Sequence, residues 1–86
     1  MTAGTLRYWA AARAAAGVDE DHLDAETLAA AVGAALDAHG NDARLTRVLG
    51  ICAYVVNGVP VGTRPHDSVP LPAGWVAEAL PPFAGG

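Results

Sequence analysis

The segment that most restricts this fold is Ile51-Cys52-Ala53-Tyr54-Val55-Val56, followed directly by Asn57-Gly58. β-Branched and aromatic side chains suit a pleated, half-buried surface. Asn-Gly supplies the two positive φ angles that a type I′ turn needs. Together they predict a strand from Ile51 to Val56 and a hairpin whose return arm is Val59-Pro60-Val61. Pro60 has no N–H, so that arm is an edge strand or a very short one. An isolated hairpin is marginal in water and needs more strands or a helix against it.

The rest of the chain supplies both. Leu6-Arg7-Tyr8-Trp9 reads as a first strand. Ala10 to Ala16 either continues it or forms a short helix, with Gly17 as the stop. The acidic run Asp19-Glu20-Asp21 reads as a solvated turn, and His22-Leu23-Asp24 as a weak strand. The clearest helix runs from Leu28 to His39 behind Thr27 as N-cap, with Leu28, Val32, Ala35, Leu36 and His39 on one face. Gly33 inside it costs up to about 1 kcal/mol against Ala and is read as permitting close packing on a sheet. Arg44 to Leu49 is a second short helix or an irregular approach. Gly62 to Pro72 is a loop, and Trp75 to Leu80 a last strand. The order predicts an α+β fold, with one main helix packed on one face of a mixed sheet of four to five strands.

At 86 residues the chain holds one modest core and no deep cleft between domains, which argues against a self-contained enzyme. Nearly a quarter of it is Ala, which buries little. The core therefore falls to Leu6, Tyr8, Trp9, Leu23, Leu28, Val32, Leu36, Leu45, Val48, Leu49, Ile51, Tyr54, Val55 and Val56. The net charge is −4, with nine acidic residues against five Arg and no Lys. That is not the basic footprint of a nucleic-acid binder or of a membrane-surface helix. No apolar run approaches the roughly 18 residues of a membrane span. Met1 to Leu6 has no secretory pattern, and the single Cys52 makes no internal disulfide. The expected compartment is the cytoplasm.

His22, His39 and His66 lie far apart and Cys52 has no CxxC partner, so no metal site is expected. There is no phosphate loop, serine elbow or HExxH motif. Cys52 reads as a core residue rather than a nucleophile. The tail is different. A body over 1–80 leads into a flexible segment over 81–86, Pro81-Pro82-Phe83-Ala84-Gly85-Gly86. The two prolines hold the exit extended, and the glycines make a thin peptide that can enter a narrow tunnel in a partner. A terminal carboxylate, with a pKa of about 3.5, is a poor electrophile at neutral pH. It must be activated, for instance as an acyl-adenylate, and nothing in this chain is suited to bind ATP.

These features resemble the MoaD/ThiS family of ubiquitin-like sulfur carriers, most closely the small subunits of molybdopterin synthases. The likeness rests on Leu6-Arg7-Tyr8-Trp9-Ala10 with Arg13 and Gly17, on Thr27-Leu28, on Val55-Val56-Asn57-Gly58, and on Leu71, Gly74 and Leu80-Pro81-Pro82-Phe83-Ala84-Gly85-Gly86. The resemblance implies a β-grasp fold with a free extended tail. It implies that Gly86 is adenylated by an E1-like, ATP-using enzyme and converted to a thiocarboxylate by a sulfur donor. It implies a partner large subunit, in a heterotetramer, where sulfur passes to cyclic pyranopterin monophosphate. On this reading Pro81, Pro82, Phe83, Ala84 and Gly85 line the partner's tunnel, catalytic residues lie on the large subunit, and no cofactor or metal is bound here.

The chain departs from the family pattern at Trp75, where an acidic residue is usual, and at Ala77 and Ala79, where bulkier residues are usual. Trp75 either fills the space those alanines leave or adds to a partner-facing surface, and the acidic partner-facing residue is either missing or moved to Glu78. Arg13 is a surface charge or a partner contact. The alternatives are a sulfur carrier for thiamine, cysteine or a sulfur-containing secondary metabolite, a ubiquitin-like modifier of lysines, or an interaction module with an idle tail.

Overall fold

The structure is a computed structural model and describes residues 2–82. The described residues form β1 (Ala3–Tyr8), α1 (Ala10–Ala16), β2 (Glu20–Asp24), α2 (Leu28–Ala38), α3 (Ala43–Ile51), β3 (Ala53–Val56), β4 (Val59–Pro60) and β5 (Trp75–Leu80), with a 3-10 turn at His66–Ser68. The five strands make one open mixed sheet in the order β2-β1-β5-β3-β4. β1 and β5, the first and last strands, lie parallel at its centre, and every other pairing is antiparallel. Along these two strands Leu6, Tyr8, Trp75, Ala77 and Ala79 are buried, while Arg7 and Val76 between them are exposed. This alternation gives the sheet one face under the helices and one open face.

The hairpin forms as expected. Asn57 and Gly58 both have positive φ, at 49° and 80°. They join Val56 to Val59 in register. Thr27 caps α2, its hydroxyl accepting from the Ala30 N–H at 3.2 Å.

Five readings change. The acidic run is strand, not turn. Alternation along β2 sends Glu20 outward, where it meets Arg7 at 3.5 Å. Asp21 turns inward, and its carboxylate accepts from the Tyr8 hydroxyl at 2.6 Å and meets His39 Nε2 at 2.6 Å. The expected strand at Ile51 begins at Ala53 instead, because α3 runs on through Ile51. Asp42 caps that helix, accepting from the Leu45 N–H at 2.9 Å. Leu45, Val48, Leu49 and Cys52 then recur at helical spacing against the core. Ile51 falls on the outside and is 65% exposed. Trp9 likewise leaves the strand to become the extended N-cap of α1 and is 39% exposed. Finally, three helices share the layer, and α2 buries Leu28, Ala31 and Ala35 more deeply than Val32 or Leu36. Gly33 is exposed, and a Cβ there would meet nothing within 4 Å, so it does not serve close packing.

Trp75 is the largest fully buried side chain. It faces the core, not a partner. Its indole lies over Gly4, its register partner on β1, and a Cβ on Gly4 would come 2.2 Å from the ring. Its Nε1 donates to the Thr2 carbonyl at 3.0 Å. Val69 and Leu71, from the segment read as a plain loop, are also buried, as is Val61 just after the hairpin's return strand. That segment is stitched to the start of α2, with Leu28 N–H donating to the Val69 carbonyl and Leu71 N–H to the Glu26 carbonyl, both at 3.0 Å.

Two stability outcomes follow from this packing. Gly4→Ala destabilises by about 1–3 kcal/mol in urea titrations, because the indole must move. In a Trp75→Leu background the same substitution costs less, and strict additivity would show that the indole is not the obstacle. Gly33→Ala stabilises by roughly 0.5–1 kcal/mol, since it removes the glycine cost and touches nothing.

Candidate functional site

The tail leaves from the middle of the sheet. β1 runs parallel to β5, so both strands end on the same side of the molecule, and β3 starts there with Ala53 paired to Leu80. Pro81 is half-buried and Pro82 exposed. Neither has an N–H, so neither can extend the ladder toward β1 or β3. Ladder pairing therefore stops at Leu80. Of the site residues read from the sequence, Pro81 and Pro82 stand at this exit. Phe83, Ala84, Gly85 and Gly86 lie outside the described residues.

The open sheet face beside the exit carries a cluster the sequence did not disclose. Trp9 Nε1 donates to Glu78 Oε1 at 3.1 Å, and the Arg7 guanidinium sits 5.4 Å from the Trp9 ring. A cation over an aromatic ring at an exposed site is worth about 0.5–1 kcal/mol. Glu78, on β5, thus faces outward two residues before the exit, with one oxygen engaged by Trp9. Nothing in the sequence pairs positions 9 and 78. Only the parallel register of Arg7 with Glu78 does so. Arg13 pairs with Asp19 at 3.7 Å, with both side chains well exposed. Such a pair contributes little to stability.

No protein-family model matches the sequence, and no curated protein matches it. Solved structures do match. The chain is similar to small archaeal modifier protein 1 from Methanosarcina acetivorans, at a TM-score of 0.83 and 21% identity over 100% of this chain and 98% of that one. It is similar to a putative molybdopterin converting factor subunit 1 from Pyrococcus furiosus, at 0.75 and 19% over 95% and 99%. It is also similar to a protein in the complex of subunits 1 and 2 of the molybdopterin-converting factor from Helicobacter pylori, at 0.66 and 23% over 99% and 100%. The chain has the ubiquitin-like β-grasp fold. The resemblance to the MoaD/ThiS carriers stands at that level.

Elsewhere the β-grasp body ties up its reactive side chains. Cys52 is half-buried, its thiol donating to the Val48 carbonyl at 3.2 Å, and burial pushes its pKa up to about 11. Tyr54 donates to the Leu49 carbonyl at 2.7 Å, and burial raises its pKa. Tyr8 is raised first by burial and then by its hydrogen bond to the Asp21 carboxylate. His39 is the C-cap of α2, His22 is exposed, and the His66 ring meets Tyr54 edge-on at 5.0 Å. Among the described residues, no three His, Cys, Asp or Glu come together as metal ligands, and no helix is long and apolar enough to cross a membrane. Shallow grooves of about 350 and 380 Å³ lie at the Gly4–Trp75 end and beside α1. The first is at the opposite end of the sheet from the exit.

The raised pKa values of these buried groups set an alkaline limit on stability. Below pH 9 Cys52 is protonated in both folded and unfolded chains. As pH rises from 9.0 toward about 11 the unfolded thiol ionises first, so stability falls across that window. Tyr8 and Tyr54, with ordinary values of 10.0, add to the loss above pH 10. Urea midpoints measured against pH show the decline, and Cys52→Ala flattens its first part. An unchanged slope in that variant would sink the assignment.

Proposed function

We propose that this chain is a sulfur carrier, the small subunit of a molybdopterin synthase, with residues 1–80 as a platform and 81–86 as the working tail. One observation carries the reading. The segment Leu80-Pro81-Pro82-Phe83-Ala84-Gly85-Gly86 follows directly on the central strand of a fold shared with subunit 1 of molybdopterin-converting factors. The carboxylate of Gly86 attacks the α-phosphorus of ATP on an E1-like enzyme, pyrophosphate leaves, and an acyl-adenylate forms. A sulfur nucleophile from the donor then displaces AMP and leaves a thiocarboxylate. The tail enters the large subunit, in a cytoplasmic heterotetramer, and gives sulfur to cyclic pyranopterin monophosphate. Pro81, Pro82, Phe83, Ala84 and Gly85 contact the tunnel, and the Trp9–Glu78 cluster lies at its rim. A large-subunit partner is supported by the Helicobacter pylori complex of subunits 1 and 2. ATP is consumed on the activating enzyme, and this chain holds no cofactor of its own.

A second reading has its own support in the likeness to a small archaeal modifier protein over the whole of both chains. There the same adenylate passes to an amine on another protein. Intact-protein mass spectrometry after incubation with ATP, an activating enzyme and a sulfur source separates the two. The carrier gains the mass of one sulfur in place of one oxygen, and deleting Gly85 and Gly86 abolishes the gain. Isopeptide adducts in place of that gain would favour the modifier. A molybdoenzyme assay indifferent to the deletion would end the carrier reading.

A further inference from the structure

We propose that this chain transfers its C-terminal acyl group in one direction only: the chain donates the group, but no side chain of its folded body accepts one. The inference rests on the reading of Gly86 as an activated end, and it concerns what the body does while that end is activated.

An activated carbonyl is lost when a neighbouring nucleophile attacks it. With an amine, a C–N bond forms, the C–O bond to the adenylate breaks, AMP departs with the electron pair, and the amine's proton passes to water. With a thiolate the product is a thioester. Each route needs an accessible nucleophile in its basic form. The 86 residues contain no Lys, so no side-chain amine exists. Their five basic residues are Arg, whose guanidinium stays protonated.

Among the described residues, the one thiol and both phenols are engaged. The one thiol, Cys52, is half-buried against the core and donates to the Val48 carbonyl. The raised pKa of that group leaves little thiolate at neutral pH. The Tyr54 phenol is 3% exposed and donates to the Leu49 carbonyl. The Tyr8 phenol is 2% exposed and donates to Asp21. Three nucleophile types are therefore absent or disarmed by three separate contacts. An activated carrier can wait for its sulfur donor without capture by its own amine, thiol or phenol side chains, and in a modifier role it would build no copies linked through them.

The full chain made as a C-terminal thioester of 2-mercaptoethanesulfonate tests this without any activating enzyme. With its α-amine acetylated and left alone at mildly alkaline pH, it should hydrolyse to the acid, with no covalent dimer and no acyl group mapped to a side chain. With added free lysine it should give the amide, showing a competent donor. Dimers, or an acyl group on Cys52, Tyr8 or Tyr54, would overturn the proposal. Arg47→Lys, which places an amine on the exposed side of α3, should yield hydroxylamine-resistant dimers. Failure to do so would show that missing amines are not what keeps the chain inert. Alkylation of Cys52 by iodoacetamide should run about 100-fold slower folded than in urea, the ratio that a rise from 9.0 to about 11 sets on the thiolate population. Equal rates would refute its part. Failure of enzymatic adenylation would count against the carrier reading alone, whereas self-linked copies would count against this one.

Discussion

The packing of Trp75 over Gly4 is the contact on which the rest of the molecule depends. It sits where the first and last strands pair in parallel, a junction that closes nearly the whole chain on itself. Closing so long a loop costs conformational entropy that local contacts cannot repay. A fully buried indole supplies a large apolar area at that seam, and its hydrogen bond to the Thr2 carbonyl satisfies the one polar atom it carries inward. The surrounding core is otherwise small, with Ala12, Ala25, Ala31, Ala35, Ala77 and Ala79 all buried. Alanines on the facing surfaces let helices approach the sheet closely. Trp75 then fills the volume that they leave at one end.

Most of the fold was legible because it is written locally. The Asn57-Gly58 turn, the Thr27 cap and the alternation of Trp75 to Leu80 each declare themselves within a few residues. What escaped depends on long-range register. Glu20 and Asp21 look like a solvated turn until β1 arrives beside them with Arg7 outside and Tyr8 inside. Ile51 and Cys52 have strand-like chemistry, yet the spacing from Leu45 carries the helix through Ile51. Trp75 was legible as a strand residue, with burial as one of its two readings; the space it occupies over Gly4 was not, because that depends on the register with β1. The tail motif was plain in the sequence. The Trp9–Glu78 contact beside it was not, since it exists only across a parallel pair.

On the proposed function, small size and chemistry held by partners belong together. A body with one Ala-rich core would there present a peptide end. Its ionisable groups serve the fold. Asp21 joins Tyr8 and His39, so a carboxylate on β2 holds the end of α2 against the sheet. The proposed activity then lives where the fold contributes least, beyond the last ladder hydrogen bonds, and the sheet supplies a fixed point from which the tail extends.

That fixed point has a mechanical side. Asn57 lengthens the grip on β5 beyond the hairpin. Its N–H donates to the Val76 carbonyl at 2.8 Å, and its side-chain oxygen accepts from the Val76 N–H at 2.9 Å. β5 is thus clamped on both flanks along its length. A pull on Pro81 along the strand would load both ladders in shear, all their hydrogen bonds resisting at once, rather than peeling them open one by one. A tail drawn into a tight channel, or withdrawn from it, would transmit tension to the part of the molecule best built to bear it.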